Sequence, residues 1–185
     1  MHSHQVIDGT HLCFSDRCGT TARVAAQHRR QTATGPQDPK GRYAMDDVTI
    51  RPAAGRTTKP APAASFTGTV LQDSLATPEA PSRTSATLVT FTPGARTNWH
   101  HHKTRQVLVA THGTGMVQVK GKPPRWLRAG DVAVVPPGIV HWHGAIAGQL
   151  FAHISFVETD GPDNTTWLEP VEEAEYRSVA VAPEG

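Results

Sequence analysis

A chain of 185 residues has the length for one domain with a real hydrophobic core. Its 18 Lys and Arg nearly balance 16 Asp and Glu, for a formal net charge of +2, and no basic block of five or more occurs; this argues against a nucleic-acid surface. No apolar run is long enough to span a bilayer and the N-terminus lacks the compact apolar core of a secretory signal, so a reducing cytoplasm is the expected compartment.

Residues 1–44 follow neither a helical nor a strand period and hold few large apolar side chains, so they cannot bury enough surface to offset their ordering entropy. Cys13 and Cys18, with His11, make only three candidate metal ligands at an unfamiliar spacing and read as incidental. Met45 opens "MDDVTIRPAAGRTTKPAPAA", which reads as a fresh N-terminus leading into an extended Pro/Ala arm, with residues 1–44 as an upstream extension; a transit peptide over 1–44 is the weaker alternative, because that stretch is Arg-rich but lacks a clear amphipathic period. The expected organisation is a disordered extension and arm over residues 1–62, then one domain over 63–180.

From Phe66 the texture changes. "SFTGTVLQD", "TSATLVTFT", "RQVLVATHG", "GMVQVKG", "DVAVVPPG" and "QLFAHISFVE" are short and rich in β-branched residues, and turn formers such as Thr92-Pro93-Gly94, Gly113-Thr114-Gly115 and Pro136-Pro137-Gly138 separate them. Many short strands with regular punctuation imply an all-β sandwich or barrel. Asn164-Thr165-Thr166 reads as a polar turn, and one short helix is expected around Glu172–Tyr176.

Two histidine clusters carry the chemistry. In a strand, residues two apart share a face, so His100 and His102 point together and His101 points away. Gln106 follows after a short bend, and its amide oxygen can reach the same point. Downstream, "GDVAVVPPGIVHWHG" turns at Pro136-Pro137-Gly138 and then places His141 and His143 on one face. Three imidazole nitrogens and one oxygen, from His100, His102, Gln106 and His141, suit a divalent first-row metal. Mn, Fe, Co, Ni and Zn all accept such donors. His101 and His112 read as outward-facing or turn residues. Trp99 and Trp142 alternate away from the ligands and are expected outside the cavity or at a dimer face.

The pattern G-x5-H-x-H-x3-Q-x6-G, from Gly94 to Gly113, resembles the first cupin motif, and G-x5-P-x-G-x2-H, from Gly130 to His141, resembles the second. The usual Glu of the first motif is Gln106, and the usual Asn after the second-motif His is Ala145. The resemblance implies an all-β, jelly-roll cupin barrel. Over roughly residues 64–178 the chain is similar to the small manganese-dependent cupin hydroxynitrile lyases, which cleave and form cyanohydrins. That likeness implies Mn2+ on His100, His102, Gln106 and His141, and pocket roles for His143 and His153. Where that group carries a further pocket Gln, this chain has Val157.

The physical reading of the remaining residues gives His143 and His153 as candidate proton carriers, and Val89, Phe91, Leu108, Phe151 and Val157 as a lining suited to a small aromatic or aliphatic carbonyl compound. A neutral Gln106 leaves the ion its full charge, which favours Lewis-acid chemistry over oxygen activation. The expected function is a metal-dependent lyase; the alternatives are a cupin dioxygenase and a non-catalytic metal- or small-molecule-binding cupin. A small-molecule substrate is expected, with neither nucleic acid nor membrane as partner, and a homodimer or homotetramer as the assembly.

Overall fold

A computed structural model describes residues 48–159, 161 and 164–180. All architecture below belongs to the unit from Thr49 onward. The readings made above for Cys13, Cys18, His11 and Met45 lie outside the described residues. No helix among the described residues is long and apolar enough to cross a membrane.

The elements run in chain order: a 3-10 turn at Ala53–Gly55, β1 (Lys59–Pro60), β2 (Phe66–Thr67), β3 (Val70–Ala76), β4 (Thr84–Phe91), β5 (Arg96–Thr97), β6 (His100–His102) and β7 (Gln106–Val119). Then come β8 (Arg125–Arg128), β9 (Val132–Val135), β10 (His141–Ala145), β11 (Phe151–Glu158), β12 (Thr165–Trp167) and α1 (Glu173–Val179). The twelve strands form one curled antiparallel sheet whose main path runs β1-β3-β4-β11-β7-β10-β5-β2, with β6, β8, β9 and β12 pairing beside it. The all-β expectation holds, and the expected short helix starts at Glu173 and runs on to Val179. The Pro/Ala arm is not simply extended: its Lys59–Pro60 pairs with Gln72 and Leu71 on the sheet edge.

Two expected strands prove to be one. "RQVLVATHG" and "GMVQVKG" are continuous in β7, and the Gly113-Thr114-Gly115 segment read as a turn is a bend within it. The partner of Ala152 is His112 while the partner of His153 is Ala110, so Thr111 is an extra residue that bulges and bends the strand. Its first half pairs with β11 and β9, its second half with β10 and β8. Gly113 sits at φ +67, open to glycine at little cost. At Gly115 a Cβ would lie 2.3 Å from the Phe151 ring. The glycines thus serve a corner, not a chain reversal.

Alternation across this bend makes two cores. Inside the curl lie Phe91, Leu108 and Phe151, all fully buried, with Val89, Val117 and Leu127. The rings of Phe91 and Phe151 stack with centroids 6.2 Å apart. On the outer face Trp99, Met116, Trp142, Ile146 and Val171 meet Tyr176 of α1. This is where the alternation argument sent Trp99 and Trp142, and the helix covers them. Arg96 fastens that cover: it is buried, donates to Glu173 Oε2 at 3.0 Å and to the Val171 carbonyl at 3.0 Å, and lies 4.3 Å from the Tyr176 ring centroid. Tyr176 in turn donates to the Ala145 carbonyl at 3.0 Å, tying α1 to β10.

Because Gly115 has no room for a methyl, Gly115→Ala is expected to destabilise the fold by about 1–3 kcal/mol through overpacking against Phe151. Urea unfolding measures it; a parental midpoint would contradict the corner packing.

Candidate metal centre

The sheet brings the two histidine clusters together by register. His141 of β10 is the partner of His100 of β6, and β7 lies on the other side of β10. Period two then sends His141 and His143 inward while Trp142 goes to the outer core. The same alternation buries His100 and His102 and leaves His101 only half-buried. His112 is exposed. Gly138 makes the second-motif turn possible: its φ is +74, and its N–H donates to the His102 carbonyl at 2.8 Å, linking the two motifs directly.

Hydrogen bonds fix the imidazoles. The Nδ1 of His100 donates to the Asn98 carbonyl at 3.0 Å, and the Nδ1 of His141 donates to the Ile139 carbonyl at 2.8 Å. Carbonyl oxygens only accept, so each neutral ring keeps its lone pair on Nε2. His102 Nδ1 meets Thr165 Oγ1 at 3.0 Å, while its Nε2 is buried without a hydrogen-bond partner. Gln106 donates through Nε2 to Ser155 Oγ at 3.1 Å, which leaves its Oε1 2.9 Å from His141 Nε2. With the His141 proton on Nδ1 these two atoms are both acceptors, and a cation bound beside them would relieve their repulsion. An orphaned nitrogen, an opposed pair of acceptors and a set of neutral N and O donors together fit a divalent metal.

One ring nitrogen each of His100, His141 and His143 lies within 4.8 Å of the others, so these three alone could hold an ion. His102 adds a buried ring nitrogen without a partner, and His143 is paired through Nδ1 with His153 Nε2 at 3.1 Å.

Every one of these imidazoles is held neutral. Burial is the largest cause throughout. It lowers His102 to about 4, helped by the neighbouring His141 ring. It lowers His153 to about 3, with the backbone of His153 and Ile154 partly offsetting. His100 and His143 fall well below their ordinary value for the same reason, reinforced most by His141 and His153 respectively. Burial also lowers His141, against the Ile139 carbonyl.

A cavity of about 510 Å³ opens beside the donors. His100, His102, Gln106 and His143 face it, and so do Val89 and Val157 from the expected lining. Phe91, Leu108 and Phe151 are not among its lining residues. They are fully buried one layer back, where Phe91 meets the His143 and His153 rings at 5.8 and 5.5 Å. His153 is also absent from the wall: it reaches the cavity only through His143. The wall is more polar than expected. Ser85, Thr87 and Ser155 face it from β4 and β11, and among the described residues no carboxylate lines it.

Thr165 and Trp167 are among the lining residues that escaped the sequence reading, which took Asn164-Thr165-Thr166 as a turn. Thr165–Trp167 is a strand on β6, with Thr165 opposite His102 and Trp167 opposite His100. The Trp167 ring is tilted against those of His100 and Phe66, with centroids 4.7 and 5.4 Å away. The β-branched Thr-Thr pair followed by Trp was the available signal.

His102→Ala is expected to abolish stoichiometric Mn2+ binding with the barrel folded, while His101→Ala binds as the parent does; equal losses in both would break the alternation argument. The buried histidines also set an acid limit on the metal-stripped protein. An unfolded His153 takes a proton near pH 6.5 and the folded one only near 3, so its contribution is complete above 6.5 and is lost as pH falls between those values. The melting temperature should fall steadily from pH 7 to pH 4. A flat profile would contradict the burial argument.

The comparisons agree with this geometry. The cupin domain model matches residues 87–152, a span that contains both histidine clusters. The chain is 39% identical over 116 residues to an (R)-mandelonitrile lyase of Granulicella tundricola, covering 63% of this chain and 88% of that one. It is 39% identical to the solved structure of a cupin-like protein from Thermotoga maritima, with a TM-score of 0.62 over 73% of this chain and 98% of that one. At 18% identity, a cupin 2 conserved barrel domain protein from Rhodopseudomonas palustris shares the fold, with a TM-score of 0.53 over 61% of this chain and 77% of that one. A sheet curled around converging histidines, both sequence motifs and these relatives agree: the chain belongs to the cupin family.

Proposed function

We propose that the protein is a metal-dependent lyase of hydroxynitrile lyase type, acting on small cyanohydrins, with Mn2+ as the ion. The observation that carries this reading is the 3.1 Å pairing of His143 with His153 directly beside the neutral donor set. The named activity of the Granulicella relative supports it.

His100, His102, Gln106 and His141 would hold the ion, which supplies a Lewis-acid charge next to a substrate oxygen. His143 is the residue in the cavity wall that can move a proton. With a proton on its Nδ1 directed to His153 Nε2, its other ring nitrogen keeps a lone pair and serves as the base. That nitrogen takes the hydroxyl proton of the cyanohydrin. The carbon–nitrile bond breaks, its electron pair leaves with cyanide, and the carbonyl forms. The imidazolium then returns the proton to cyanide as HCN, so protons and charge balance over the cycle. His153 is the positioning residue that sets the tautomer. Thr87, Val89 and Val157 flank the space left for the organic part of the substrate.

Val157 favours a second reading. It stands in the cavity wall where the lyase-like group carries Gln, and an apolar wall there suits a cupin dioxygenase or a binding cupin as well. Oxygen uptake with metal-loaded protein and a panel of phenols, thiols and diketones discriminates: uptake coupled to product favours the dioxygenase.

The test is cyanide release from mandelonitrile at matched metal content. His143→Ala is expected to lose about 10²–10⁴ in rate with the metal retained. Val157→Gln is expected to raise the rate. Full activity in His143→Ala would remove it as the base, and no turnover by any of these proteins, parent included, would end the lyase reading.

A further inference from the structure

Gln106 has a problem that a carboxylate ligand does not have. The two ends of an amide have the same shape, and only the oxygen can bind a cation. Some neighbour must accept from the nitrogen when the oxygen faces the site. Among the described contacts, that neighbour is Ser155, whose Oγ accepts from Gln106 Nε2 at 3.1 Å while Oε1 stands 2.9 Å from His141 Nε2. Ser155 lies on β11 two residues after His153, on the same face, and lines the cavity. We propose that Ser155 is the positioning residue that makes a neutral glutamine work as an oxygen ligand. This rests on the metal half of the reading above and not on its lyase half.

The direction of the hydrogen bond gives the proposal its content. When the amide oxygen is drawn to a cation, electron density leaves the nitrogen and its N–H becomes a stronger donor. The bond to Ser155 therefore tightens as metal binds. Removing the serine costs the metal-bound state more than the free one, because a buried N–H is then left without an acceptor.

A carboxylate at the same position reverses the sign. It has no donor, so Ser155 would donate to its second oxygen. A bound cation takes negative charge from that oxygen and weakens the bond. Removing the serine then costs the free state at least as much as the bound state. The effect of Ser155 on metal affinity should thus depend on whether residue 106 is an amide or an acid, and a purely structural role would not make that distinction.

The experiment is a double-mutant cycle on the full metal-free chain titrated with Mn2+ alone, by calorimetry or chelator competition, with folding checked by circular dichroism. Ser155→Ala is expected to weaken Mn2+ binding by roughly 10–100-fold, the range usual for partners of metal ligands. Ser155→Thr keeps the acceptor and should bind as the parent does. In the Gln106→Glu background, Ser155→Ala should leave the affinity unchanged or raise it. Should Ser155→Ala not fold, Ser155→Cys carries the same expectation, since its sulfur is a poor acceptor. Unchanged affinity in Ser155→Ala, an equal loss in both backgrounds, or a parent that binds no Mn2+ would each overturn the proposal. The expected pattern in a protein that cleaves no cyanohydrin would support it and sink the lyase reading alone.

Discussion

Two acceptors, His141 Nε2 and Gln106 Oε1, face each other at 2.9 Å inside the barrel, and each is held there by a bond at its far end. The Ile139 carbonyl fixes the histidine and Ser155 fixes the glutamine. Close lone pairs are unfavourable by themselves, and a buried nitrogen without a partner at His102 adds to the cost. A cation bound beside them would relieve both. The surrounding strand pairing holds these neutral groups together.

Three strands do most of that holding. β10 faces two ways: its histidines line the site and its tryptophan anchors the outer core, so the ligand face cannot rotate without unpacking α1. The bent β7 carries Gln106 at one end and supports β10 at the other. β6 is short and is flanked by β10 and β12, which brings Thr165 to His102 and Trp167 to His100. Burial does the electrostatic part. It keeps the imidazoles unprotonated, as ligation and general-base chemistry require.

Where the chemistry follows a local period, it was legible in the sequence. His100, His102, Gln106, His141 and His143 come together because alternation and two glycine-punctuated turns dictate it, and the outward placement of Trp99 and Trp142 follows from the same rule. What was not legible depends on partners distant in sequence. The Gly113-Thr114-Gly115 segment reads as a turn until Thr111 is seen to bulge against β11. Phe91, Leu108 and Phe151 share a sheet face with lining residues yet sit too deep, because the curl closes over them. Thr165–Trp167 looks like a loop until β6 offers it an edge. Alternation puts Ser155 on the face of His153 and Val157, but its bond to Gln106 could not be anticipated, since that contact requires the register of β11 on β7.

The most direct measurement is anomalous diffraction at the manganese edge from crystals grown with Mn2+. The account predicts one strong peak bounded by His100, His102 and His141 nitrogens and the Gln106 oxygen, with His143 outside the coordination sphere and still paired with His153. A peak bounded by His100, His141 and His143 without His102 and Gln106, or no peak in the cavity at full Mn2+, would contradict it.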